Sequence, residues 1–384
     1  MSGSGRFNVT RVSNQSSQTT GRFNVTRSST GPTPTTDQST QSREQASGSE
    51  PPISEIYPNL NDLLDKWQQW SDVGDQYKVL IPKDLPLLVD EVRIAEENGI
   101  NFIEMIGSGG FASIWKVKCS RLLSNRQGMS NYTDKEIACK IISLQRYARN
   151  RTPYEAVNEM LREYTIHKHL VHPNIVRSEE VFNIIDKRTE FPFVRHLHFM
   201  ELCTGSLQQL MNGGTLSETD ARVWFKQVCQ GLRYLHSKGV AHLDIKIENI
   251  LYIDSNGERT YKLCDYGLSR IAQQVFGFTG TIRYMAPESR TLVSQTPIQT
   301  FPIDIWCLGL AVCESLGGNR KHNEIRDIIN SITDQTVVNH MVEEGRLRLT
   351  TYEFCQLIQC MVVINPIYRP TIHQIIAHRW LQLN

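Results

Sequence analysis

The sequence predicts an α+β molecule in two lobes, a small sheet lobe followed by a larger helical lobe. Three observations predict it. From about residue 101, short runs of β-type residues succeed one another (Phe102–Ile106, Ile114–Val117, Ile137–Ile142), and two more follow at Val176–Ile185 and Arg195–Glu201. A helical stretch over 155–170 lies between the third run and the fourth. Beyond Gly205 apolar residues recur at helical spacing to the end. Strands first and helices later is the order of a small sheet joined to a helical body.

Composition bounds the function classes. The chain has 384 residues, enough for one two-lobed enzyme domain of about 250–300 residues with an extension, or for two ordinary domains. It is 40% hydrophobic and 21% charged, with a formal net charge of +1, a balance that calls for neither a nucleic-acid nor an anionic-membrane partner. No apolar run reaches the 18 or so residues of a membrane-spanning helix, and the first residues lack the apolar core of a secretory signal. Nine scattered cysteines without CxxC pairs read as small reduced core residues, so the expected location is cytoplasmic, with nuclear access left open.

Ahead of the lobes stand two segments. Residues 1–52 are rich in Ser, Thr, Gln, Gly and Pro, too polar to offset their ordering entropy, and are expected to be disordered. Within them Gly5-Arg6-Phe7-Asn8-Val9-Thr10-Arg11 recurs sixteen residues later as Gly21-Arg22-Phe23-Asn24-Val25-Thr26-Arg27. Residues 53–100 read as a partly helical extension, with Leu60, Leu63, Leu64, Trp67 and Trp70 at helical spacing and a second apolar block at Leu85–Val89. The enzyme domain is expected over 101–384.

Several stretches carry chemistry. Ile106-Gly107-Ser108-Gly109-Gly110-Phe111-Ala112-Ser113-Ile114 lies between two β-type runs, and its glycines allow close backbone approach to phosphates. Alone it is a weak signal, since such hairpins are more often structural, and Ala112 stands where G-x-G-x-x-G has its third glycine. Lys140 sits in the apolar run Ile137-Ala138-Cys139, a costly place for a cation without a partner. Glu163 follows on the helix that Pro173 must end, and by itself reads as a solvated helix residue. His242, Asp244, Lys246, Glu248 and Asn249 place five polar groups in eight residues, and Cys264-Asp265-Tyr266-Gly267 comes shortly after.

In that order the set resembles the eukaryotic protein kinase superfamily of serine/threonine type: glycine-rich loop, strand lysine, helix glutamate, H-x-D-x-K-x-x-N, D-x-G, Ala286-Pro287-Glu288, Asp304-Ile305-Trp306-Cys307-Leu308-Gly309, then Arg369-Pro370. The resemblance implies a bilobal kinase fold, with ATP and Mg²⁺ and protein substrates bearing Ser or Thr acceptors. It implies Asp244 as the catalytic base, Lys246 on the transferring phosphoryl group, Asn249 and Asp265 as Mg²⁺ ligands, and Lys140 on the α/β-phosphates paired with Glu163. It places the adenine-binding hinge at Met200-Glu201-Leu202-Cys203, with Met200 as gatekeeper. It further implies that Glu288 pairs with Arg369 and that Asp304 braces the catalytic loop. Lys246 and Thr281 fit the serine/threonine class, and Glu248 matches a position where basophilic kinases place an acid for a substrate arginine. His378-Arg379-Trp380-Leu381 resembles the last helix of the calmodulin-dependent and AMP-activated groups.

The sequence also departs from the pattern. Leu243 replaces the arginine that pairs with a phosphorylated activation loop, so phosphates on Ser269, Thr279 or Thr281 would lack that partner. Activity is therefore expected not to require them. Tyr266 replaces the usual phenylalanine. His167 takes a place normally apolar, where it would loosen the active arrangement or hydrogen-bond Tyr266. Residues 120–135 read as a surface insertion. In the tail, Arg6–Val9 and Arg22–Val25 fit R-F-x-V and resemble docking peptides read by sterile-20-type kinases. These departures keep open a second reading, a pseudokinase or scaffold that recruits partners through the repeats.

Overall fold

Backbone alternation builds the small lobe. The structure, a computed structural model, describes Asn8–Arg11 and most of the chain from Gly99 on; residues 1–7, 12–98, 109–111, 120–133, 144–162, 165, 187–192, 213, 271–273, 276–279, 291–297, 332–350 and 384 lie outside the described residues. The extension 53–100 and Thr279 thus lie almost entirely or wholly outside them. Six strands form one antiparallel sheet: β1 (Asn8–Arg11), β2 (Ile100–Ser108), β3 (Ala112–Cys119), β4 (Glu136–Ser143), β5 (Ser178–Asp186) and β6 (Phe193–Met200), in the order β1-β5-β6-β4-β3-β2. In β4, Ile137, Cys139 and Ile141 point to one face and join Ile100, Val117, Cys119, Leu197 and Phe199 in the lobe's core. Phe102 and Trp115 close it edge to face, with centroids 5.4 Å apart. The same period of two turns Lys140 to the opposite face, where the register sets it across from His198.

One strand departs from expectation. Asn8–Arg11, inside the segment whose composition predicts disorder, pairs antiparallel with β5, Asn8 opposite Ile185 and Arg11 opposite Phe182. The composition argument concerns apolar burial. An edge strand instead satisfies backbone groups on a neighbour that already offers a free row of them.

The large lobe is built on two helices. Strands β7 (Gly205–Ser206), β8 (Ile250–Ser255) and β9 (Glu258–Leu263) make a small sheet beside it, and α1 (Leu207–Met211) follows β7. Ser217 caps α2 (Glu218–Ser237) by accepting from the Asp220 amide at 3.1 Å, with Glu218 and Asp220 in the first turn, where the helix dipole favours anions. Its buried face, Ala221, Trp224, Phe225, Val228, Cys229, Leu232 and Leu235, follows helical spacing. It packs near α3 (Phe301–Ser331), whose residues from Ile303 to Cys313 are all at least nine-tenths buried. The helices α4 (Tyr352–Met361) and α5 (Ile372–Ile376) and the closing turn Arg379–Gln382 complete the lobe, and Trp380 is fully buried against Phe225 and Phe354.

The chain between helix and β5 links the lobes. A Cβ at Gly231 on α2 would meet the Asn174 carbonyl at 2.6 Å, so only glycine lets that loop lie on the helix. Asn174 donates to the Tyr261 carbonyl at 2.9 Å and accepts from the Leu263 amide at 3.0 Å, which fastens the loop to β9. None of the nine cysteines is in a disulfide, and among the described residues no helix is long and apolar enough to cross a membrane.

Candidate active site

The site starts at the hairpin of β2 and β3. Gly107 lies opposite Ile114 and Ser108 opposite Ser113, while Gly109, Gly110 and Phe111 lie outside the described residues. A Cβ at Gly107 would touch only Ile114, at 3.7 Å, an ordinary contact. The protein's own packing therefore does not demand glycine there, which fits a position approached by a ligand. Ile106 keeps 41% of its surface exposed beside it.

Lys140 is next, brought opposite Ile114 by the β3–β4 register. Its Nζ donates to Glu163 Oε1 at 2.5 Å and to Asp265 Oδ1 at 2.9 Å. Burial disfavours the ammonium charge, but Asp265 and Glu163 together outweigh it and hold the lysine above its ordinary value. Glu163 is itself buried at 5% exposure, and burial pushes its carboxyl up against the pull of Lys140. Asp265 is held down to about 2, chiefly by Lys140. The three residues named from sequence thus meet as one charged triad, and Glu163 is not the solvated helix residue it resembles in isolation.

The catalytic loop hangs from Asp304. Its fully buried carboxylate accepts from the His242 amide at 2.9 Å and the Leu243 amide at 2.7 Å, and lies 2.9 Å from His236 Nε2. Leu243 is fully buried with φ +65°, and Asp265 has φ +66°, both in the left-handed region that non-glycine residues rarely adopt. Gly280, at φ +102°, passes so near the Leu243 carbonyl that a Cβ would sit 3.1 Å from it. His242 accepts from the Asp244 amide at Nδ1, so its Nε2 donates to the Cys264 carbonyl at 3.0 Å; the Cys264 amide in turn donates to the Asn249 carbonyl at 3.0 Å. One hydrogen-bonded frame therefore carries Asp244, Asn249 and Asp265.

Within that frame Asp244 is nine-tenths buried and both its oxygens are engaged. Oδ1 accepts from the Thr281 hydroxyl at 2.5 Å and the Thr281 amide at 3.2 Å. Oδ2 accepts from Lys246 Nζ at 2.6 Å and Asn249 Nδ2 at 3.0 Å. Lys246 also reaches the Thr281 hydroxyl at 2.8 Å. Because Asn249 uses its amide nitrogen on Asp244, its oxygen points away from that carboxylate. That oxygen and the Asp265 carboxylate, 44% exposed, are the hard oxygen donors that suit Mg²⁺.

The hinge runs from buried Met200 through half-buried Glu201 and Cys203. Glu201 Oε1 accepts from Lys262 at 2.9 Å and from the Arg177 amide at 2.6 Å, which pins the segment to both lobes. His167 does not bond the Tyr266 hydroxyl, which donates to the Leu263 carbonyl at 3.3 Å. Its Nε2 meets the Val176 carbonyl at 2.5 Å, and its ring packs on Tyr266 with centroids 4.6 Å apart. Burial drops its pKa to about 4, so the ring is neutral and fills the apolar place as an aromatic. Ser269 is fully buried with its hydroxyl on the His242 carbonyl at 3.1 Å, which makes it a structural residue of the loop rather than a phosphate acceptor. Glu288 and Arg369 form a bidentate pair at 2.6 and 2.8 Å.

Sequence reasoning missed Arg283. Glu248, expected from the resemblance to meet an arginine of a substrate, holds Arg283 of this chain, and Arg283 Nη1 also lies 3.7 Å from Glu314. The available signal was a cation two residues beyond Thr281, but nothing in spacing links it to an acid 35 residues earlier.

Comparison with known proteins agrees with this geometry. Residues 100–381 match the protein kinase domain. The serine/threonine-protein kinase SRK2J of Arabidopsis thaliana is 28% identical over 290 residues, 73% of this chain and 76% of its own. The ovarian-specific serine/threonine-protein kinase Lok of Drosophila melanogaster is 26% identical over 322 residues, 80% of this chain and 62% of its own. With fhkB of Dictyostelium discoideum the identity is 27% over 312 residues, 78% of this chain but 25% of that longer protein. The chain thus spans between a quarter and about three-quarters of the length of these three relatives. A lysine–glutamate–aspartate triad, a catalytic loop hung from a buried aspartate and a domain match over most of the length converge on one conclusion: the chain belongs to the protein kinase family.

Proposed function

We propose that this chain transfers the γ-phosphoryl group of ATP to serine or threonine hydroxyls of proteins, with Asp244 as the base. One observation carries the reading. The chain's own Thr281 already presents a hydroxyl to Asp244 at 2.5 Å, with Lys246 at 2.8 Å from the same oxygen. That is the arrangement an acceptor hydroxyl needs, with its proton directed at a carboxylate and its oxygen beside a cation. An incoming substrate hydroxyl would take over the Asp244 oxygen that Thr281 occupies. Lys246 would then lie where negative charge gathers on the transferring group. Lys140, fixed by Glu163, would hold the α- and β-phosphates beneath the β2–β3 hairpin, and the hinge at Glu201–Cys203 would receive the adenine edge. Asn249 and Asp265 would hold the divalent cation, which screens the phosphate charge when bound.

The buried apolar setting of Leu243 supports activity without loop phosphorylation, because no cation stands at that position to receive a phosphate. The test is phosphate incorporation from Mg-ATP into serine and threonine peptides by purified full chain, beside Asp244→Asn. Incorporation that disappears in the variant, from protein in which mass spectrometry finds no loop phosphate, is expected. A folded wild type that binds ATP yet incorporates no more than the variant would instead favour the scaffold reading.

A further inference from the structure

Two carboxylates and one guanidinium meet beside the acceptor site. Arg283 lies in the turn Ile282–Tyr284, two residues past the threonine whose hydroxyl touches Asp244. Its Nη2 bonds Glu248 Oε1, its Nη1 lies 3.7 Å from Glu314 Oε1, and its guanidinium carbon sits 5.1 Å from the Tyr284 ring centroid. Glu248 is two residues from Lys246, the partner of Asp244. Glu314 comes from α3, is fully buried, and accepts the Tyr284 hydroxyl on its other oxygen. The cluster reaches the surface through Arg283 and Glu248, whose side chains are 28% and 29% exposed.

Both acids lie against the same guanidinium, and among the described residues Glu248 Oε2 is buried without a hydrogen-bond partner. Such a place selects a cation, and a guanidinium above others, because its planar fork satisfies carboxylates and its face stacks on an aromatic ring. Here the chain fills the place itself. A substrate arginine near its acceptor hydroxyl would have to displace Arg283, which is covalently tethered and already paired with Glu248, or be left beside a like charge.

We propose that Arg283 is a specificity-determining residue, a built-in occupant of the Glu248–Glu314 site that removes selection for arginine next to the phosphorylated residue. Substrates then need no arginine beside the acceptor. Without Arg283 the two acids would accept an arginine from the substrate. This inference rests on the kinase reading above.

The experiment measures kcat/KM of the full chain for paired peptides that carry arginine or alanine at each of the four positions on either side of one acceptor serine or threonine. Wild type is expected to favour arginine less than about twofold at every position. Arg283→Ala is expected to gain about tenfold or more for arginine at one or two positions, and Glu248→Gln added to Arg283→Ala is expected to remove that gain. Arg283→Gln, which keeps a polar side chain in the turn, repeats the comparison if the alanine variant does not fold. A wild type that already favours arginine tenfold overturns the proposal with no variant needed. So does an arginine preference unchanged in both Arg283 variants, and incorporation into the alanine peptides would then leave the kinase reading standing. Absence of incorporation into every peptide by folded wild type overturns both.

Discussion

Asp244 has four donors on two oxygens, three from side chains and one from the Thr281 backbone amide. Asp244→Asn keeps the shape, loses the proposed base and turns one acceptor oxygen into a donor facing two donors, so kcat is expected to fall about 10²- to 10⁴-fold with a lowered melting temperature, as read by phosphate incorporation beside a melting curve. Lys140→Met leaves Glu163 buried beside Asp265 with no cation between them. It is expected to lose ATP binding and to cost about 3 kcal/mol of stability in denaturant titration; a melt equal to wild type would argue that Glu163 is neutral or solvated. Leu243→Arg would push a charge into a fully buried apolar position and is expected to lower stability, not to restore phosphate control. These residues were legible because each has a fixed neighbour in sequence: Asp244 within its run of five polar groups, Asp265 before Tyr266 and Gly267. The Arg283–Glu248 contact was not, since it depends on how a loop folds back 35 residues later. Likewise His167 reads as a misfit in sequence and becomes intelligible only once the Val176 carbonyl stands beside it.

Among the elements, the strands were legible to within a few residues because alternation of Ile137, Cys139 and Ile141 fixes a face, and the face fixes the ladder. Their ends were not, since those depend on pairing partners: β2 extends from Ile100 to Ser108 only because β3 runs alongside it. The C-terminal turn shows how a distant element is anchored. Trp380 donates its indole N–H to Glu218 Oε1 at 2.6 Å, Glu218 also accepts from the Thr351 amide and hydroxyl, and Arg222 lies 5.5 Å from the Trp380 ring centroid. The first turn of α2, the cap of α4 and the end of the chain are thus joined through one carboxylate. Trp380→Ala is expected to cost about 3–5 kcal/mol in denaturant unfolding, and Glu218→Gln less, because the amide keeps an acceptor oxygen.

The molecule as a whole carries a pH liability in its small lobe. His167, His196 and His198 are all buried at 1% exposure, and burial lowers each pKa, His167 to about 4, His196 to about 3 and His198 well below its usual value. Facing them are Lys140, Asp265, His242, Tyr164, Tyr266, Ser178 and the Val176 carbonyl. The folded state keeps these rings neutral, whereas the unfolded chain protonates them below its ordinary pKa of about 6.5. Stability is therefore full above that value and falls as pH drops toward the folded values, by roughly 2 kcal/mol at pH 5 for His167 alone. The denaturant midpoint is expected to fall between about pH 7.5 and 5, and to fall less in His167→Leu; a flat midpoint would mean that the rings are already charged. At one edge of the same sheet, the pairing of Asn8–Arg11 with β5 bears on the duplicated tail sequence. Asn8 and Val9 belong to the first R-F-x-V copy, so a partner that reads that copy as an extended peptide must first strip a strand from the sheet. For this copy, folding and recognition would draw on one row of backbone groups, so each excludes the other.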